Sequence, residues 1–410
     1  MSNRVTVSGK LVWFVSLLCL LGGYVSTAQS AASTQPAPTA APAPDEYWFY
    51  TPPTDRSPYP DMGDGEVKNV ILLIGDGMGF GPVATARYRS AGAAGRLYMD
   101  RMPVTGYVTT WSESGLVTDS AAGATALASG YKTNNGMVGI LPDGRRVLTI
   151  LEAARDVKKM ATGLAVICTI NHATPAGFAA HVPSRDMYPK IYEQIVQNKV
   201  DVLLGNGSIG TATQPSTEST QAKQMGYRVI STRDELRAVT ETPVIGLLGI
   251  DEPTPENPKP MLAEMTAKAI ELLRKDRDGF FLMVEGSDID WAGHGNDTSA
   301  SIRKTLLFDL AIKEAVEFAL RDKHTLVLVT ADHDTGGLTV LGGSLDGKEV
   351  GVAWITKGHS GLPVPLYAFG PGARRFMGVH DNTDVPRLIA QLLKIKDFPK
   401  VFPRMEPAKQ

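Results

Sequence analysis

The chain has 410 residues, 43% of them apolar, which is enough for one large α/β domain or two ordinary ones and too apolar for a disordered protein. Forty-one Lys and Arg against 43 Asp and Glu leave a net charge of −2, so no global field draws nucleic acid or an anionic membrane to it. Any recognition of an anion has to be local.

At the N-terminus, Arg4 and Lys10 precede an apolar run over 11–21 and then Ser26-Thr27-Ala28, the pattern of a cleavable export signal over residues 1–28. The run is short for a membrane span and no second one follows, so the mature chain is expected in the periplasm or secreted, with no membrane attachment. Cys19 follows Leu18, a poor context for lipidation, and loss of the signal leaves Cys168 without a disulfide partner. Residues 29–60 read as an Ala/Pro-rich tether followed by an arm with Trp48, Phe49 and three tyrosines that drapes over the body. Residues 61–400 read as a single domain and 401–410 as a tail.

The domain opens with an apolar run over 67–74 ended by Gly75-Asp76-Gly77-Met78-Gly79, a buried strand with a tight turn at its carboxyl end. Next, Thr118-Asp119-Ser120 runs into Ala121-Ala122-Gly123-Ala124. That pattern predicts a helix capped by Thr118 or Asp119, with Ser120 in the first turn, where unpaired N–H groups and the dipole favour negative charge. A serine so placed is suited to attack an anionic ester, although taken alone such a stretch is more often an ordinary capped helix. Further strand-like runs lie at 162–170, 200–204, 279–284, 325–330 and 366–369, with helical patterns at 148–159, 260–275, 299–320 and 385–393. Segments 208–223 and 342–350 read as loops or small excursions. The alternation predicts an α/β fold, a mostly parallel central sheet with helices on both faces, whose ligands bind beyond the carboxyl ends of the strands.

Several of these strands end in a residue able to hold a metal. The first delivers Asp76, the run 279–284 delivers Glu285 with Asp290 and His294 after it, and 325–330 delivers Asp332 and His333; His359 follows in Gly358-His359-Ser360-Gly361. Charges massed at one sheet edge repel unless cations neutralise them. Asp290 and His294, four apart on a helical turn, project from one face. His with Asp suits Zn²⁺, and carboxylates with a Thr hydroxyl suit Mg²⁺. Beside two metals a serine hydroxyl becomes useful, and Arg185, shortly after Thr174, is shaped to fork onto phosphate oxygens with Asp119 aiming it.

These motifs, taken together and in this order, resemble those of the alkaline phosphatase family over residues 67–371: Gly75-Asp76-Gly77, Thr118-Asp119-Ser120-Ala121, Ala173-Thr174-Pro175 with Ser184-Arg185, Glu285-Gly286-Ser287-Asp288-Ile289-Asp290 with His294, Ala331-Asp332-His333 and Gly358-His359-Ser360. The resemblance implies hydrolysis of a broad range of phosphate monoesters through a phosphoserine on Ser120. It implies two zinc ions and one magnesium. Asp290, His294 and His359 would hold the first zinc; Asp76, Asp332 and His333 would hold the second, against the Ser120 oxygen; Asp76, Thr174 and Glu285 would hold magnesium. Arg185 would clamp the phosphoryl group. His172 and Trp291 occupy positions that vary in the family near the third ion: His172 as ligand or water partner, Trp291 as a neutral residue that weakens product binding. The short segment between His333 and His359 implies a reduced crown insertion, and a homodimer is expected.

Three rivals are weaker. A sulfatase needs a Cys-x-Pro-x-Arg type motif, but Cys168 is followed by Thr169-Ile170-Asn171. A phosphodiesterase relative would lack the arginine clamp and usually has threonine as nucleophile. An exported binding protein without turnover would lack the nucleophile or break the ligand set.

Overall fold

The run Asn69–Gly75 is buried at every residue, as a continuous apolar stretch must be when both faces of its sheet are covered. It is the centre of the structure, a computed structural model that describes residues 44–403 apart from 212, all within one folded unit. The export signal at 1–28, the tether up to residue 43 and the tail from 404 lie outside the described residues.

The strands are β1 (Asn69–Gly75), β2 (Val104–Thr109), β3 (Ala161–Thr169), β4 (Val202–Asn206), β5 (Arg228–Ile230), β6 (Val244–Leu248), β7 (Phe280–Gly286), β8 (Thr325–Thr330), β9 (Asp334–Thr335), β10 (Thr339–Gly343), β11 (Val350–Ala353), β12 (His359–Ser360), β13 (Val364–Phe369) and β14 (Gly378–Asp381). The α-helices are α1 (Phe80–Ala91), α2 (Ser120–Ser129), α3 (Ile150–Lys158), α4 (Ala173–Ala179), α5 (Tyr188–Gln197), α6 (Thr217–Gln224), α7 (Arg233–Ala238), α8 (Met261–Leu273), α9 (Asp288–Gly295), α10 (Thr298–Asp322) and α11 (Asp384–Leu392).

Ten strands form one sheet in the order β14-β2-β13-β8-β1-β7-β3-β4-β6-β5. Among them β13 runs antiparallel to both neighbours, and the other pairings are parallel. Helices cover both faces: α10 packs on both α1 and α8, while α2, α3, α4 and α11 form a second group, and α8 and α3 each touch both β3 and β7. The register places Ile74 opposite Glu285 on one side and Thr330 on the other, so Asp76 and Asp332 emerge at one level of the carboxyl edge with Glu285 two residues below them. Mostly parallel pairing is what brings residues distant in sequence to that edge.

The predicted strands and helices are present with ends shifted by one or two residues at most sites. Four sheet members were not named from the sequence: β2, β5 and the edge strand β14 are short and partly exposed, and β6, of sequence VIGLL, is apolar and buried but only five residues long. The segment read as a loop or small excursion at 208–223 contains all but the last residue of α6, capped by Ser216 accepting from the Ser219 N–H. Between His333 and His359 the chain forms short β9 and the hairpin β10–β11. The arm packs down: the Tyr50 hydroxyl donates to buried Asp309 at 2.6 Å, and Tyr59 lies 5.5 Å from the Phe369 ring.

Candidate active site

Helix α2 begins at Ser120, and Asp119 is its N-cap, accepting from the Ala122 N–H at 3.0 Å. The helix is buried along its length because Ala, Gly and Ser let it approach the sheet edge; a Cβ at Gly123 would lie 3.2 Å from the Asp332 Cβ. The Ser120 hydroxyl is therefore aimed at the strand ends, 3.2 Å from Nε2 of His333. The second Asp119 oxygen, Oδ2, accepts from Arg185 Nη1 at 3.0 Å, so one carboxylate both caps the helix and orients the guanidinium.

The other ligand candidates converge in two groups beside that hydroxyl. Asp290, His294 and His359 bring one ligand atom each within 4.8 Å of the others, and so do Asp76, Asp332 and His333. In the first group, His294 Nδ1 lies 2.6 Å from the Lys357 carbonyl and His359 Nδ1 lies 2.8 Å from the Thr118 carbonyl. A carbonyl only accepts, so each Nδ1 carries the proton and each Nε2 presents its lone pair. Those two lone pairs face each other at 3.3 Å. Two nitrogens bound about 2.0–2.1 Å from a tetrahedral zinc stand about 3.3 Å apart, so this pair fits such an ion. Asp290 completes the set, with Oδ2 at 3.3 Å from His294 Nε2 and Oδ1 at 3.5 Å from His359 Nε2.

In the second group His333 Nε2 lies 3.2 Å from Asp332 Oδ2 and 3.5 Å from Asp76 Oδ1. All three side chains are fully buried, and both Asp76 oxygens and Asp332 Oδ2 have no hydrogen-bond partner. Burial, with neighbouring carboxylates, pushes Asp76 and Asp332 well above the usual carboxylate range. Burial, with the charges of His359, Arg185 and His294 nearby, pushes His333 well below the ordinary imidazole value. Without cations these shifts favour the uncharged forms of the acids and of the imidazole; divalent cations reverse the acids' preference. The tight turn after β1 admits the arrangement because Gly77, at φ +69°, stands where a Cβ would lie 2.8 Å from the Asp290 Cα.

A third group, Cys168, His172 and Glu285, also has ligand atoms within 4.8 Å of one another. Glu285 is buried, its Oε1 has no partner, and burial raises it to about 7 against the hydrogen bonds of Ser287 and Cys168. The buried Thr174 hydroxyl in the first turn of α4 also faces Glu285 and works against that rise. His172 is the N-cap residue of α4, and burial with the Arg185 charge lowers it to about 4. Trp291 is 47% exposed on α9, edge-on to the His172 ring at 6.4 Å. Every site residue named from the sequence thus lies at this one edge. Two participants went unnamed: Cys168, and Thr335, whose hydroxyl donates to Asp290 Oδ1 at 2.5 Å and lies 3.2 Å from His333 Nδ1. Thr335 sits two residues after His333, a spacing that puts both on one side of an extended strand.

A family model described as alkaline phosphatase matches residues 67–350. The chain is similar to alkaline phosphatase 4 of Bacillus subtilis, at 33% identity over 83% of this chain and 92% of that protein. It is also similar to streptomycin-6-phosphate phosphatase of Streptomyces griseus, at 36% identity over 81% of this chain and 90% of that protein. Among solved structures, a variant of the alkaline phosphatase from the Antarctic bacterium TAB5 superposes with a TM-score of 0.70 and 32% identity over 80% of this chain and 98% of that one. That variant has a histidine replaced by aspartate and magnesium bound in its M3 site.

Proposed function

The chain belongs to the alkaline phosphatase family and is a hydrolase of phosphate monoesters; from that premise we propose that it works in two displacements through a phosphoserine on Ser120. The observation that carries this reading is the Ser120 hydroxyl at a helix N-terminus, 3.2 Å from His333, with the histidine and carboxylate groups beside it. Ser120 Oγ attacks phosphorus while the bond from phosphorus to the alcohol oxygen breaks, and the serine proton ends on the alcohol. Water then attacks the same phosphorus, phosphate leaves, and a water proton returns to Ser120 Oγ. Arg185, held by Asp119, forks onto two phosphoryl oxygens through both steps.

Asp290, His294 and His359 would hold one zinc, Asp76, Asp332 and His333 a second, and the oxygens of Asp76, Thr174 and Glu285 a magnesium. When bound, these ions neutralise charge at the serine and leaving oxygens and supply hydroxide at neutral pH. Because the leaving oxygen is met by charge and not by a shaped pocket, a broad range of alcohols follows. Export through residues 1–28, to the periplasm or the medium, and a homodimer complete the proposal; among the described residues no helix is long and apolar enough to cross a membrane.

The test compares hydrolysis of 4-nitrophenyl phosphate, bis(4-nitrophenyl) phosphate and 4-nitrophenyl sulfate by the purified protein and by Ser120→Ala. The monoester should dominate, and Ser120→Ala should lose about a thousandfold or more, equivalent to about 4 kcal/mol of barrier, while keeping its zinc. Near-normal turnover by Ser120→Ala would end the covalent reading.

A further inference from the structure

The third group is not an all-oxygen cage. Cys168, at the end of β3, is 2% exposed and donates its thiol to Glu285 Oε2 at 3.3 Å, while Glu285 Oε1 and His172 Nδ1 are buried with no partner. Parallel pairing of β3 with β7, Val166 opposite Glu285, brings the sulfur to this carboxylate. One sulfur, one imidazole nitrogen and one carboxylate oxygen within 4.8 Å of each other form a mixed soft donor set. Ligands at about 2.0–2.3 Å from a tetrahedral zinc lie about 3.3–3.8 Å apart, so only small side-chain movements would close the set.

We propose that Cys168, His172 and Glu285 bind a thiophilic divalent cation, zinc or cobalt, and that this ion competes with the magnesium of Asp76, Thr174 and Glu285 for the shared Glu285. The inference rests on the three-cation reading above and changes the occupant of one site. As the metal–sulfur bond forms the thiol gives up its proton to solvent; thiolate and carboxylate then balance the two charges of the ion, which a buried site requires. Magnesium has no use for the sulfur, so the two cages differ in the ion each selects.

The protein is stripped of metal and titrated with Co²⁺, following visible d–d absorption, the near-ultraviolet sulfur-to-cobalt charge-transfer band, and bound metal by mass spectrometry. Two equivalents should enter without the sulfur band and a third with it, and excess Mg²⁺ should displace the third. Cys168→Ser and Cys168→Ala should both keep the first two equivalents and lose the band. Two equivalents and no sulfur band in the wild type would overturn the Cys168 site and leave the phosphatase site standing. A protein that takes up no cobalt would overturn both. Because the band is read in the wild type, a variant that fails to fold does not rescue the inference.

Discussion

Asp119 serves two structures at once, and the residues around it owe their directions to that sharing. One oxygen caps α2 and fixes Ser120, and the other holds Arg185, so nucleophile and clamp move together. His294 and His359 are aimed by backbone carbonyls, which leaves their Nε2 atoms for a cation with no side-chain partner spent on orientation. Trp291 is the exposed neighbour with no charge to offer phosphate. Replacing it by lysine adds a cation near the site, and at a few ångströms in solvent this is worth about 1 kcal/mol. Trp291→Lys should therefore lower the inhibition constant of inorganic phosphate about fivefold, measured by competition against an aryl phosphate. An unchanged constant would show that Trp291 faces away from the bound anion.

The elements that present the site are held by local devices, and these differ in how far the sequence disclosed them. Apolar runs ending in an acid disclosed β1, β7 and β8, because a strand buried on both faces admits polar residues only where it ends. Cys168 stayed hidden because it lies inside such a run and reads as core; only the pairing of β3 with β7 sets it against Glu285. Strands β2 and β14 stayed hidden because their residues are partly exposed and β2 finds both its partners, β13 and β14, far along the chain. Helix α3 is fixed by a capping box in which the buried Glu152 accepts from the Thr149 N–H and also meets His181 and Arg146. Burial works to raise Glu152, but the His181 hydrogen bond and the His181 and Arg146 charges prevail and hold it at about 2, below its ordinary 4.5. A depressed carboxylate stabilises the fold above its unfolded value and loses that contribution as pH falls through the folded one. Glu152→Gln should cost about 2–3 kcal/mol at pH 7 in urea unfolding, with the gap to wild type closing between pH 4.5 and 2. A gap independent of pH would assign the loss to shape and not to charge. The arm is tied by Tyr50 donating to Asp309, a carboxyl that burial raises to about 7 and that also accepts from the Tyr98 and Met99 N–H groups. Tyr50→Phe should destabilise by about 1–3 kcal/mol at pH 8, the cost of one lost hydrogen bond to a charged group. An unmoved urea midpoint would mean that the arm rests on packing alone.

Across the whole molecule, the parallel sheet gathers Asp76, Glu285, Asp290 and Asp332 at one edge, and that concentration of charge makes the fold depend on what neutralises it. With cations bound, the carboxylates stay ionised in the folded state, and stability carries no proton cost from them. With cations removed, Asp76 and Asp332 rise well above their unfolded value and Glu285 rises to about 7, each chiefly through burial. A carboxylate raised on folding leaves the folded state holding the extra proton, so its contribution favours folding at low pH and is lost as pH climbs through the raised value. His333 and His172 shift the other way, downward, and oppose this below the ordinary imidazole value of 6.5. As pH climbs past 6.5 the unfolded imidazoles also lose their protons, their opposition fades, and the raised carboxylates increasingly set the slope. Chelation should therefore abolish aryl phosphate hydrolysis and lower Tm together, and the Tm gap between metal-loaded and stripped protein should widen as pH rises through the raised Glu285 value of about 7. Each group titrating in that window contributes up to about 1.4 kcal/mol per pH unit. Thermal unfolding with and without chelator across this range decides the matter: a Tm indifferent to chelation, or a stripped protein that gains stability as pH rises, would mean that the strand-end carboxylates are not held together by cations.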